Sequence, residues 1–162
     1  MLDNRYYFYN KSRNLKVNLI DMPQKIDLNK LKEISLHLRK KIIKTSYNAK
    51  IPHLGSCLSC LDILVYLYWE ELKINLDYLD DKRRDRFVLS KGHGAPALFQ
   101  VLSHRGFFPE SDLENFGVDG SFFHEHPPKP GLINGIEAAT GSLGHGMPMS
   151  LGFALASRIL KI

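Results

Sequence analysis

Cysteine is scarce in this chain of 162 residues: Cys57 and Cys60 are the only two, too few for a disulfide-rich secreted scaffold. Long apolar runs are missing too, and none approaches the length of a membrane span. The opening residues, Met1-Leu2-Asp3-Asn4-Arg5, lead into tyrosines and charges, not into the apolar core of a signal peptide. No internal repeat and no low-complexity tract occurs, which excludes solenoids and fibrous arrays. Acidic residues are few at the start. Residues 1–50 hold 4 Asp/Glu against 12 Lys/Arg, so the overall charge of +5 belongs to that third of the chain. Its cations are spread along an expected helix, which reads as a solvated face and not as a nucleic-acid surface. The expectation is a soluble cytoplasmic protein with no nucleic acid and no membrane as partner.

What is present is globular. Hydrophobic residues make up 44% and charged residues 24%, and the length suits one domain with a core. Residues 1–27 show no period and read as an N-terminal extension, with an aromatic run at Tyr6-Tyr7-Phe8-Tyr9. From Leu28 the spacing of Leu31, Ile34, Leu38 and Ile42 predicts a helix fading near Ser46. Ser59-Cys60-Leu61-Asp62 reads as a capping box before an apolar helix reaching Leu72. Phe87-Val88-Leu89-Ser90 reads as a strand feeding the turn Lys91-Gly92-His93-Gly94. Ala95 to His104 reads as a helix capped by Gly106. Ser111-Asp112-Leu113-Glu114 opens a short helix, residues 117–140 form a long Gly/Pro-rich loop, and Met147 to Leu160 is an apolar helix. The order suggests α/β.

Five of the seven histidines, His53, His93, His124, His126 and His145, fall in expected loops or turns. A core histidine would sit more often inside a periodic segment. The turn Gly141-Ser142-Leu143-Gly144-His145-Gly146 opens a helix, and free N–H groups there suit a phosphate or a polar ring edge. Cys57-Leu58-Ser59-Cys60 sits at a helix start. With His53 it offers a redox or zinc reading, against which stands the use of cysteine as a small buried residue. His37 and His104 read as surface or capping residues. Asp80 to Arg86 reads as a solvated loop laced with ion pairs.

Together these pieces resemble the transketolase family. Phe87-Val88-Leu89-Ser90-Lys91-Gly92-His93-Gly94-Ala95-Pro96-Ala97-Leu98 is similar to its glycine-histidine signature. His53-Leu54-Gly55 with Leu58-Ser59 and Asp62-Ile63-Leu64, Glu125-His126-Pro127, and Gly135 to Gly146 resemble three further motifs in the family's order. Pro52, Ser56, Cys57 and Glu125 depart from those patterns. The likeness is strongest to split transketolases, in which this half is a separate subunit.

The resemblance implies a partial thiamine-diphosphate-binding fold, a parallel sheet flanked by helices, over residues 28–162. It implies two-carbon ketol transfer between sugar phosphates, with thiamine diphosphate and magnesium as cofactors. A pyrimidine-binding transketolase subunit would be the partner, in an oligomer. His93, Gly141, Ser142 and Leu143 match cofactor-binding positions, and His53 and His126 match catalytic histidines. The family's metal-holding GDG motif does not occur before Ile162. The fold is therefore expected to be incomplete at its C-terminal end, to lack metal ligands and to be inactive alone. A non-catalytic remnant or interaction module, and a small Cys/His metal or redox protein, are the other readings.

Overall fold

The computed structural model describes residues 26–162; the Tyr6–Tyr9 aromatic run lies outside them. The chain's α-helices among these residues are α1 (Leu28–Ala49), α2 (Leu54–Tyr66), α3 (Ala95–His104) and α4 (Gly146–Leu160). None is long and apolar enough to cross a membrane.

α1 buries Ile34, Leu38 and Ile42, the stripe its spacing predicts. It runs one turn beyond Ser46. Its end is set by backbone geometry, since Lys50 takes a left-handed φ of 52° and Ile51 N–H donates to Ser46 O at 3.2 Å. That arrangement satisfies a terminal carbonyl, and Pro52 then discourages continuation.

α2 departs from its expected start. It begins at Leu54, so Ser59 and Asp62 lie inside it and form no capping box. Ser59 Oγ donates back to Ser56 O at 3.1 Å, while Asp62 Oδ1 faces α1 and pairs with Arg39 Nη2 at 2.8 Å. The capping pattern was mimicked by two residues that serve other contacts, Asp62 across to α1 and Ser59 to Lys91 in the turn before α3. Beyond Tyr66 the helix widens into a π-turn, Leu67–Glu71, where the adjacent residues Tyr68 and Trp69 are both buried.

α3 is the central element: every residue from Ala95 to Leu102 is buried. It ends as predicted, with Gly106 at φ 83° and Phe107 N–H donating to Leu102 O at 3.0 Å. α1, α2 and α3 pack against one another around Leu38, Ile42, Leu61, Leu64, Phe99 and Leu102. The loop after α3 carries a 3-10 helix, Glu110–Asn115. It starts one residue before Ser111 and follows Pro109. From there to His145 the chain forms turns that close over the core. At Gly135 a Cβ would stand 2.7 Å from Leu102 Cδ2 and 2.8 Å from Phe107 Cδ1, so only glycine fits.

The expected parallel sheet is not formed among the described residues. Phe87 to Ser90 is irregular backbone and not a strand. A strand needs a neighbour to take its N–H and C=O groups. Here the Leu89 carbonyl instead accepts from Thr140 Oγ1 at 2.7 Å, in a buried contact.

α4 has the opposite character from α3. It is apolar around its circumference, yet Gly146 is its only buried residue, and Met147, Leu151 and Ile159 are 77%, 59% and 78% exposed. A helix apolar on all sides is normally a buried one, so α4 is a surface built to be covered.

Candidate functional site

The site forms where the chain entering α3 meets the chain entering α4. Two glycines allow the approach. A Cβ on Gly92 would stand 2.5 Å from Thr140 O and 2.9 Å from Gly141 N, and one on Gly146 would stand 2.5 Å from Ser90 Cα. These are backbone atoms, which cannot swing aside. The hydrogen bond from Thr140 to Leu89 locks the same junction.

His93 projects from a 3-10 turn, Gly92–Gly94, that runs directly into α3. His53 precedes α2 in a left-handed conformation, φ 69° and ψ 18°, that a residue with a Cβ seldom adopts. Its carbonyl accepts the N–H groups of Ser56 at 2.9 Å and Cys57 at 3.2 Å, which anchors the strained residue to the first turn of α2. Pro52 therefore coexists with a His53 ring whose centroid is 5.1 Å from that of His93. His126 comes from the long loop and packs on the other junction segment: a Cβ on Gly141 would stand 3.5 Å from His126 Cδ2. Four of the six predicted site residues, His53, His93, His126 and Gly141, are thus brought to one surface. Ser142 and Leu143 continue the same turn and are exposed, Leu143 by 71%. His124 and His145 are exposed as well.

The electrostatics favour an anion. His93 is held below the ordinary histidine pKa, first by burial and then by His53, Lys91 and His126. Every charged neighbour that shifts it is a cation or becomes one on protonation. Lys91 was not singled out from the sequence. Its Nζ donates to Ser59 Oγ at 2.9 Å, which ties the turn to α2 and leaves an ammonium beside the imidazoles. The available signal was a lysine directly before Gly92-His93-Gly94. A second omission is the junction's support. The loop from Asp80 to Arg86 is not wholly solvated, because Arg84 and Glu137 form a buried pair at 2.5 Å.

Cys57 and Cys60 are free thiols, the first buried and the second partly so. Burial pushes the Cys57 thiol up to about 11 and raises that of Cys60. Among the described residues no three His, Cys, Asp or Glu side chains converge as a metal site. The donors present, imidazoles with an ammonium and a glycine turn at a helix start, fit a diphosphate. They do not fit magnesium, which wants several oxygen ligands.

The family described as "Transketolase, thiamine diphosphate binding domain" matches residues 32–162. One subunit of an apulose-4-phosphate transketolase from Phocaeicola vulgatus is 38% identical over 123 residues, covering 76% of this chain and 43% of that protein. A 6-deoxy-6-sulfo-D-fructose transketolase subunit from Clostridium sp. strain MSTE9 is 35% identical over 133 residues, covering 82% of this chain and 47% of the relative. The solved transketolase from Leishmania mexicana superposes with a TM-score of 0.71 at 29% identity, over 78% of this chain and 19% of that one. The chain therefore spans less than half the length of these relatives.

Proposed function

Since this chain belongs to the transketolase family, in its thiamine diphosphate-binding domain, we propose that it is the cofactor-binding part of a split transketolase that moves a two-carbon ketol unit between sugar phosphates. The observation that carries the proposal is the convergence of His53 and His93, 5.1 Å apart, with His126 and Gly141 on one cation-rich surface. Thiamine diphosphate, when bound, supplies a nucleophilic carbon and an electron sink.

The chain's own residues bind, orient and handle protons. His93 would hold the diphosphate by donating an N–H, with Lys91 adding charge. The backbone of Gly141, Ser142 and Leu143 would lie along the cofactor's rings. His53 and His126 would contact hydroxyls of the donor sugar. An imidazole there can donate to an oxygen gaining charge or pass a proton near neutral pH. Magnesium ligands would come from outside the described residues.

Residues 28–162 would carry part of the thiamine diphosphate-binding domain, with residues 1–27 as an extension before it. The segment Phe87 to Ser90 would become a strand of a parallel sheet once neighbours pair with it. The relatives named as transketolase subunits support a partner, and exposed α4 supports a large covering surface. We assign the partner as the pyrimidine-binding subunit, in an oligomer, and the compartment as the cytoplasm.

Calorimetry with thiamine diphosphate and magnesium tests the reading, on the chain alone and with a pyrimidine-domain partner. Binding is expected, strengthened by the partner and weakened about tenfold or more by His93→Ala, the loss of one charge-assisted hydrogen bond. No heat in either arrangement would remove the cofactor-binding role.

A further inference from the structure

A cavity of about 530 Å3 opens between α1, the π-turn after α2 and the end of α3. It shares no lining residue with the histidine surface. Its walls include Lys30, His37, Trp69, His104 and Arg105. The only carboxylate in its lining, Glu33, is engaged by Lys30 at 3.2 Å.

Arg105 is the unusual member. Its guanidinium stands over the Trp69 ring, 5.3 Å from the centroid. Its Nε is buried with no hydrogen-bond partner, and Arg105 joins no ion pair among the described residues. That N–H gives up water without gaining an acceptor, which is costly, although the side chain as a whole is only partly buried. The neighbouring rings add donors, and the carboxylate that acts on both of them, Glu110, is held by Lys41. The His104 ring lies 5.7 Å from Trp69 and 5.4 Å from His37. His104 is held below its ordinary pKa by burial first and then by His37.

We propose that this cavity is a second ligand site, for a small phosphomonoester whose phosphate lies on Arg105, His104 and His37 and whose carbon part lies against the edge of Trp69 that lines the cavity. A phosphate suits the set better than a carboxylate. It carries up to two charges and three acceptor oxygens, and the cavity offers a planar fork and two imidazoles. The volume falls within the range of small-molecule sites and exceeds what a bare ion needs.

The chain supplies its own reporter, because Trp69 is its single tryptophan. The intact chain is titrated with glycerol 3-phosphate while Trp69 emission is followed, with sodium chloride at matched ionic strength as control. A saturable change is expected. It should persist in His93→Ala, which impairs the other anion surface, and its midpoint should rise about tenfold or more in Arg105→Gln, as for a lost charge-assisted contact. Circular dichroism checks that Arg105→Gln folds. If it does not, Arg105→Lys keeps the charge without the fork and should raise the midpoint. The proposal is overturned by no saturable change, by an equal change with sodium chloride, by loss in His93→Ala, or by an unaltered midpoint in the folded Arg105 variant.

Discussion

Arg84 Nη1 lies 2.5 Å from Glu137 Oε1, and both side chains are more than nine-tenths buried. Glu137 Oε2 also accepts from Arg86 Nη1 at 3.0 Å, while Arg84 Nε donates to Leu79 O at 2.6 Å. One carboxylate thus holds the segment that leads to His93 against the loop that leads to Gly141. Removing one member of a buried pair strands the other charge. Glu137→Ala should cost about 3–5 kcal/mol of stability, read from urea unfolding. Adding Arg84→Met to Glu137→Ala should recover part of that loss, because the stranded cation disappears.

The glycine junction gives a sharper test. In Gly92→Ala the new methyl meets the Thr140 carbonyl, a backbone group, at 2.5 Å. The segments must separate, at about 1–3 kcal/mol for overpacking. Thermal unfolding should show the loss, and thiamine diphosphate binding should weaken with it. Gly55→Ala, where a Cβ meets nothing within 4 Å, should leave packing undisturbed.

Thr140→Val removes the donor to Leu89 O and leaves a buried carbonyl without its partner. A cost of about 1–3 kcal/mol follows from the unmet acceptor. Chemical denaturation measures it.

His93 and His104 both have pKa values below the ordinary histidine value of 6.5 in the folded chain. The unfolded chain then binds more protons just below that pH, so acid favours unfolding. The stability from neutral imidazoles is whole above pH 6.5 and declines as pH falls through the folded values. Melting temperature should drop over that interval, and less steeply in His104→Gln. A melting temperature flat across the interval would contradict the assignment.

Cys57, with its thiol pushed up to about 11, should be almost wholly protonated at pH 8. Because the thiolate is the reactive form, Ellman's reagent should modify Cys57 far more slowly in the native chain than after unfolding in urea.

The helical stripe of α1, the bounds of α3 and the Gly106 cap were legible in the sequence, because periodicity and caps are written within a few residues. The start of α2 was not. Ser59 and Asp62 have capping chemistry at capping spacing, and only their partners across the interface, Lys91 and Arg39, show that they cap nothing. The segment Phe87 to Ser90 likewise has strand composition, but a ladder requires a neighbour that composition cannot supply. The charged run through Arg84 looked solvated for the same kind of reason. Its buried partner, Glu137, lies 53 residues away.

By itself, the sequence determined the family through four ordered motifs, and it marked His53, His93, His126 and Gly141 as candidate site residues. Only the tertiary structure decided that these four meet, that Lys91 joins them, and that Arg105 faces a cavity with no ion-pair partner among the described residues. A motif records which chemistry each segment carries. Whether the segments approach depends on glycine contacts and buried pairs between positions some fifty residues apart, such as Gly92 with Thr140 and Arg84 with Glu137, and those are fixed only when the chain packs.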